Sequence, residues 1–423
     1  MKNQDIEIVF ITAHIRDNTT SAERFRSFAE AFISNFENVH IYEFDYPWKE
    51  KTWMGHETKN VDPLNSNIES HLRILKPQLN LFQRLIFFLF RKGYIFLAKP
   101  LHILYQIYFK RDINHPGYRT IPKDLKALNK GYVLVSGGPF GIFSYANFLA
   151  NRLNYKLILD YRDPWTYGYR VVGGFKFIHL LKLRLNRNLE NLLIGNAKIV
   201  TTVSETLKSY YPQAFQNKIH VISNGFNYRE HDFQIEIPQT FNIVYAGTVY
   251  DDQLIDDTFF EALKLFISRL SVKRLKIQFL GSFYNEKLRK KLRDFGLDEF
   301  AEITPRLRRD QLRTYFNNSS IFIHLKYGDK SGIITSKQSD YLFFRKPILL
   351  PVSDEGDIAK SILENKAGYV CYNVEDNIKV LNDLYMKFLN QVPEYITQTE
   401  DFFIKNSRAY QAKILTDIML ASY

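Results

Sequence analysis

What most constrains this chain is an alternation. Short, almost wholly apolar runs are separated by helix-like segments from one end to the other. The runs are Ile6–Thr12, Val39–Phe44, Tyr132–Ser136, Leu157–Tyr161, Ile199–Val203 and Ile219–Ile222, then Phe241–Ala246, Ile277–Gly281, Ile321–Leu325 and Pro347–Pro351. A strand with one wet face alternates apolar and polar residues. A continuous apolar run needs cover on both faces, the condition of a parallel sheet between helical layers. Two such series in 423 residues predict an α/β protein of two doubly wound domains. The boundary is expected in Asn224–Thr240, where Asn-Gly marks a turn and a polar stretch follows. In such sheets ligands bind beyond the carboxyl ends of the strands, so chemistry is expected in the loop after each strand.

Charge separates the two halves. Residues 1–220 carry 30 Lys/Arg against 18 Asp/Glu, and residues 221–423 carry 27 of each, so the whole excess of +12 lies in the first half. A one-sided field predicts that one domain faces something anionic, such as a membrane surface or a phosphorylated acceptor. The single cysteine, Cys371, excludes an internal disulfide framework. The N-terminal residues lack the basic flank, long apolar stretch and small-residue cleavage site of a signal peptide, so a cytoplasmic protein is expected.

One segment breaks the alternation. Leu81–Arg111 (LFQRLIFFLFRKGYIFLAKPLHILYQIYFKR) holds six Lys/Arg and no acid among many Phe, Leu, Ile and Tyr. A spanning helix needs about 20 apolar residues in a row, and Arg91, Lys92, Lys99 and Pro100 interrupt every run here. The composition suits one or two amphipathic helices lying in the headgroup region of a membrane. The alternative is a helical insertion that packs on the domain and exposes its charges.

Several stretches fall in a telling order: LILDYRDPW (157–165), TTVSETL (201–207), VISNGF (221–226), IVYAGTVY (243–250) and SKQSDYLFFRKPIL (336–349). Together they resemble the GT-B glycosyltransferases of family 4 type, which build bacterial capsule, lipopolysaccharide and exopolysaccharide. RFRSFAEAF (24–32) is similar to the family's first helix, although the turn before it, DNTTSAE (17–23), lacks the usual glycines. The resemblance implies two Rossmann-like domains facing across a cleft. Residues 1–225 would bind the acceptor, residues 226–400 the nucleotide sugar, and a terminal helix, 401–423, would return to the first domain.

The donor chemistry needs a cradle for the diphosphate, a grip on the ribose and an edge for the base. Gly247 and Thr248 follow the second domain's first strand. Gly247 allows close approach, and the Thr248 hydroxyl can donate to a phosphate. KYGDKSGIITS (326–336) follows a later strand and offers Lys326, Gly328, Lys330, Ser331, Gly332, Thr335 and Ser336. The helix beginning near Ser336 has amides and a dipole suited to an anion, and Lys337 adds charge. By the resemblance, Asp340 stands where the family's ribose-binding glutamate is usual, and Gly332 stands where many relatives carry a sugar-binding glutamate. Ser282 and Arg306 follow two further strands, where relatives hold the base.

On the acceptor side, Asp160, Arg162 and Asp163 gather four ionisable groups with Tyr161 at a strand end stopped by Pro164, a site signature. They are the candidate catalytic residues. Arg24, Gly137, Gly138 and Trp165 are candidate acceptor-side residues, the last as a stacking platform or as core.

The resemblance implies retention of configuration without a metal or other cofactor. The ten histidines are scattered and no Asp-x-Asp occurs. Cations and helix N-termini would then stabilise the departing diphosphate, which would itself take the acceptor proton, with Asp160 or Asp163 orienting the acceptor. The expected partners are a nucleotide-sugar donor, a lipid-linked or saccharide acceptor and an anionic membrane surface, with no nucleic acid. Two alternatives remain at this stage: a nucleotide-sugar epimerase of the same architecture, and a basic membrane-binding protein without catalysis.

Overall fold

The computed structural model describes residues 2–423 apart from 18, 47–63, 119, 169–175, 230–231, 235–236 and 331–332, and at Thr20 and 176–179 it describes the backbone alone. The chain divides into two units, residues 1–223 with 408–423, and residues 224–407.

The first unit is built on seven parallel strands: β1 (Asn3–Thr12), β2 (Phe36–Phe44), β3 (Leu72–Leu75), β4 (Lys130–Ser136), β5 (Lys156–Tyr161), β6 (Ile199–Thr202) and β7 (Ile219–Val221), in the order β3-β2-β1-β4-β5-β6-β7. Successive side chains leave opposite faces of a strand, so each strand feeds two cores. Val9, Ile11, Val133, Val135, Leu157 and Leu159 join one cluster with helix Gly141–Leu153. Ile8, Phe10, Tyr132, Leu134 and Ile158 join another with Phe25, Phe28 and Phe32 of helix Thr20–Asn35. Each large apolar side chain so buried contributes about 1.5–3 kcal/mol, which is why the runs are so largely apolar, with the buried Glu7 of β1 an exception.

Helix Arg408–Ala421 belongs to this second cluster through Ala412, Leu415 and Met419. Tyr423 closes the return: its hydroxyl donates to the Gly131 carbonyl (2.7 Å), and Lys156 lies over its ring (3.4 Å). The preceding helix, Glu400–Lys405, stays with the second unit, where Phe402 and Phe403 pack against its core.

The second unit has six parallel strands: β8 (Phe241–Ala246), β9 (Leu275–Leu280), β10 (Ala301–Thr304), β11 (Ile321–Ile323), β12 (Ile348–Leu350) and β13 (Gly368–Val370), in the order β10-β9-β8-β11-β12-β13. Ile243, Tyr245, Ile277 and Phe279 face one core, and Val244, Ala246 and Leu280 the other. Strand order reverses direction between β1 and β4 in the first unit and between β8 and β11 in the second. Loops leaving those strands diverge, and the crevice between them is where open α/β sheets hold ligands.

Segment 81–111 is a pair of helices, Leu81–Arg91 and Ile95–Phe109. No helix among the described residues is long and apolar enough to cross a membrane.

Candidate functional site

At the switch point of the second unit, β8 ends in Ala246 and the chain turns at Gly247 with φ +108°. This is the left-handed region that only glycine enters without strain. A Cβ there would stand 3.7 Å from Cε and Nζ of Lys337, so the glycine leaves open the space the lysine points into. Lys337 is the second residue of helix Ser336–Phe343, in the segment that follows β11. The helix is tied to β8 by the Ala246 amide, which donates to the Tyr341 hydroxyl (2.8 Å), and to β11 by Tyr341 stacked on Phe322 at 4.2 Å.

The Lys337 ammonium donates to the Tyr245 hydroxyl at 2.6 Å and lies 4.0 Å from that ring's centre. Among the described residues no carboxylate pairs with it. The residue keeps some solvent contact along its length, but burial of the charged end pushes the ammonium down to about 7. The same surroundings push His324, whose Nε2 meets Gln338 Oε1 at 2.7 Å, down to about 3, through burial first and then the Lys337 charge. Thr335 precedes the helix without capping it through its side chain. Its buried Oγ1 has no hydrogen-bond partner among the described residues. A cation lacking a counter-charge therefore stands beside a glycine, on a helix whose N-cap residue, Thr335, carries an unused hydroxyl. That is the chemistry of an anion site.

The other donor-side candidates have distinct places. Ser282 is buried and braces the turn: its hydroxyl donates to the Gly247 carbonyl and accepts from the Val249 amide, both at 2.9 Å. Thr248 is half-buried, and its carbonyl accepts from the Tyr245 hydroxyl at 3.2 Å. Ser336, Asp340 and Lys326 are half-buried, Ser336 and Asp340 on the same helix as Lys337, and Arg306 is exposed beyond β10. Ser331 and Gly332 lie outside the described residues. Lys330 is held by Asp252.

In the first unit the DYRD stretch divides by strand alternation. Asp160 follows Ile158 onto the face of helix Thr20–Asn35 and is fully buried. Arg24 grips it with Nη2 at 2.8 Å and Nε at 3.3 Å, Thr201 donates at 2.6 Å, and the Ser136 hydroxyl donates as well. Burial raises the carboxyl, but the Arg24 charge and these hydrogen bonds outweigh it, and the group sits below its ordinary value. Arg24 Nη1 donates to the Ile222 and Ser223 carbonyls at 2.9 Å. Asp160 and Arg24 therefore tie β5 to the segment after β7, with four of the five guanidinium N–H groups engaged and both side chains buried.

Trp165 is also inward: it is buried and stacks on Phe140 with ring centres 5.2 Å apart, so it serves as core and not as a platform. By contrast, Asp163 is exposed and Arg162 partly so, paired with each other beyond β5. Gly137 and Gly138 follow β4, the neighbouring strand. The Gly137 amide donates to the Asp160 carbonyl at 3.0 Å, and space around Gly138 is open.

Three contributors escaped the sequence reading. Tyr245 lay inside the quoted IVYAGTVY motif but reads as core. Ser136 and Thr201 are ordinary strand residues whose hydroxyls matter only once Asp160 is known to point between them.

No protein-family model matches the chain, and no curated protein matches it in sequence. Solved structures do match in shape. HepE of Anabaena, in complex with UDP, superposes with a TM-score of 0.56 at 10% identity, covering 98% of this chain and 100% of that one. Sucrose-phosphate synthase of Thermosynechococcus elongatus gives 0.55 at 11% identity, with 99% and 100% covered. The UDP-GlcNAc 2-epimerase of Methanocaldococcus jannaschii gives 0.52 at 10%, with 98% and 99% covered. The chain has the GT-B fold. At these identities the likeness concerns fold. Within the GT-B fold the candidate anion site described above lies on the sequence-distal unit, at the switch point between β8 and β11.

Proposed function

We propose that the protein is a metal-independent, retaining glycosyltransferase. It moves a sugar from a nucleotide-sugar donor to a lipid-linked or other saccharide acceptor in surface polysaccharide synthesis. The observation that carries the reading is the Lys337 ammonium, poised over Gly247 at a switch point with no carboxylate partner among the described residues. HepE, of the same fold, was captured with UDP and with UDP-glucose, which favours a uridine donor here too.

The diphosphate binds at the turn of Gly247 and Thr248, against Lys337, Thr335 and the amides opening helix Ser336–Phe343. Asp340 reaches the ribose, and Ser282 and Arg306 lie toward the base. In the reaction the bond between the anomeric carbon and the β-phosphate oxygen breaks as the acceptor oxygen bonds to the same carbon on the same face. The acceptor proton passes to the departing phosphate. The protonated Lys337 and the helix dipole stabilise the charge that develops there. Asp163, steered by Arg162, orients the acceptor hydroxyl.

Asp163→Asn is expected to lower kcat by about a hundredfold or more, as for loss of a general positioning carboxylate, with the KM for UDP-sugar nearly unchanged. Loss of donor binding in that variant would remove Asp163 from this role. The epimerase of the same fold supplies the competing outcome. Incubation with UDP-GlcNAc alone, followed by chromatography, yields no 2-epimer if the protein is a transferase. Formation of the epimer without an acceptor would overturn the proposal.

A further inference from the structure

The helices Leu81–Arg91 and Ile95–Phe109 are a firmly mounted pair. Asn80 and Gln83 form a capping box at the start of the first. Gln83 Nε2 also donates to the carbonyls of Ile113 (2.7 Å) and His115 (2.9 Å), and Gln106 Nε2 donates to Asn186 Oδ1 at 2.6 Å. Ile86, Tyr105 and Ile113 make a small core between them, with Phe82, Phe87, Leu101 and Phe109 around it. A helix anchored in this way by its apolar face normally turns a polar face outward.

Here the outward face is apolar as well. Leu81, Leu85 and Phe88, at helical spacing, are exposed on the first helix, and Phe96, Leu104 and Tyr108 on the second, with Leu81 at 83%, Phe96 at 76% and Tyr108 at 80%. Tyr94, Ile95 and Leu97 extend the patch at the turn between the helices. Arg84, Arg91, Lys92, Lys99 and Lys110 are exposed along the same helices, and among the described residues none pairs with a carboxylate. No acid lies within 81–111. An exposed apolar surface of this extent marks an interaction site, and unopposed cations distributed through it specify an anionic, apolar occupant.

We infer that this helix pair docks the protein on the surface of an anionic lipid bilayer. Leu81, Leu85, Phe88, Phe96, Leu104 and Tyr108 enter the acyl boundary while the arginines and lysines meet headgroup phosphates. Bilayer chemistry answers both halves of the surface at once: the aromatic and aliphatic side chains lose water, and the basic stems extend to the phosphates. A second copy of this chain would set equal positive charge against equal positive charge, which disfavours that occupant. The inference stands apart from the transferase reading, because it rests on different residues and on no donor chemistry.

The test is co-sedimentation of the full-length protein with vesicles of phosphatidylcholine, with and without phosphatidylglycerol. Binding is expected only with phosphatidylglycerol and is expected to weaken as salt is raised. The variant R84Q/R91Q/K92Q is expected to lose roughly a hundredfold in affinity, at about fivefold per basic residue. The variant F96S/Y108S is expected to lose binding while keeping its melting temperature, because both side chains are already in water. Stabilisation by UDP-sugar, measured on the same variants, reports the donor site separately and should be unchanged. Failure of the wild-type protein to sediment with anionic vesicles would overturn the inference. So would a dimer in light scattering that F96S/Y108S dissolves, since a second copy would then be the occupant.

Discussion

The two units treat an ionisable side chain near a strand end in opposite ways. In the first, the Asp160 carboxylate is fully buried and satisfied by Arg24, Ser136 and Thr201. In the second, the Lys337 ammonium has one hydroxyl partner and no carboxylate among the described residues. Burial acts on both groups; Asp160 lies near the end of β5, and Lys337 on the helix in the segment after β11. The difference lies in the partner, a cation for the carboxylate and only a hydroxyl for the ammonium. A completed network resists change and holds strands together, whereas a desolvated charge without its counter-charge is a site awaiting one.

The largest effect that can test this contrast is removal of Arg24. Arg24→Ala leaves Asp160 buried without its cation and is expected to cost about 3–5 kcal/mol of stability, read as a lower urea midpoint. If stability instead held and only turnover collapsed, Arg24 would belong to the acceptor site and the contrast would fail. Removal of the vacant charge should behave in the reverse manner. Lys337→Met is expected to weaken UDP-sugar binding by roughly ten- to a hundredfold, the worth of about 1.5–3 kcal/mol for a charge-assisted hydrogen bond. The lysine's folded value lies below its unfolded one, so its charged form costs stability as pH falls, and the variant should melt no lower than the wild type. Calorimetric titration and thermal melting on one preparation check both halves.

Fold and site differ in how far the sequence discloses them. The runs that became β1, β4, β5, β8 and β9 were legible because burial on both faces leaves few polar positions, the buried Glu7, Asp160 and Gln278 among them. The edge strands β3 and β13 were not, because Leu72–Leu75 and Gly368–Val370 are half-exposed and too short for any pattern. The site was legible where backbone dictates residue type, as at Gly247 and the helix after Thr335. It was obscure where the answer depends on the direction of a side chain. Asp160 and Asp163 look equivalent in the sequence, yet the first faces helix Thr20–Asn35 and the second faces solvent. Arg24 is likewise separated by 136 residues from the carboxylate that defines it.

The expected pH dependence of donor binding probes the Lys337 charge more finely. The burial that brings Lys337 to about 7 leaves it charged below that value and neutral above it. The diphosphate of a UDP-sugar does not titrate in this range, so affinity is expected to be full in mild acid and to fall as pH rises through about 7, by about tenfold over the two units centred there. Binding near pH 7 should take up protons, visible as a dependence of the measured enthalpy on the buffer. Lys337→Met should bind weakly at every pH.

The smallest predicted effect separates the charge from the loop that presents it. Ser282 touches no charged group; its hydroxyl only joins the Gly247 carbonyl to the Val249 amide. Ser282→Ala deletes both bonds and leaves a buried amide without its acceptor, at a cost of about 1–2 kcal/mol. Some of that cost falls on folding, and some on the turn at Gly247, where the proposed reading places the diphosphate. UDP-sugar affinity is therefore expected to fall only about fivefold, with its pH dependence intact, because Lys337 still titrates where it did. An unchanged affinity would mean that Gly247 holds its turn unaided. A loss as large as that of Lys337→Met would mean that presentation by the loop, and not the vacant charge, sets the strength of the site.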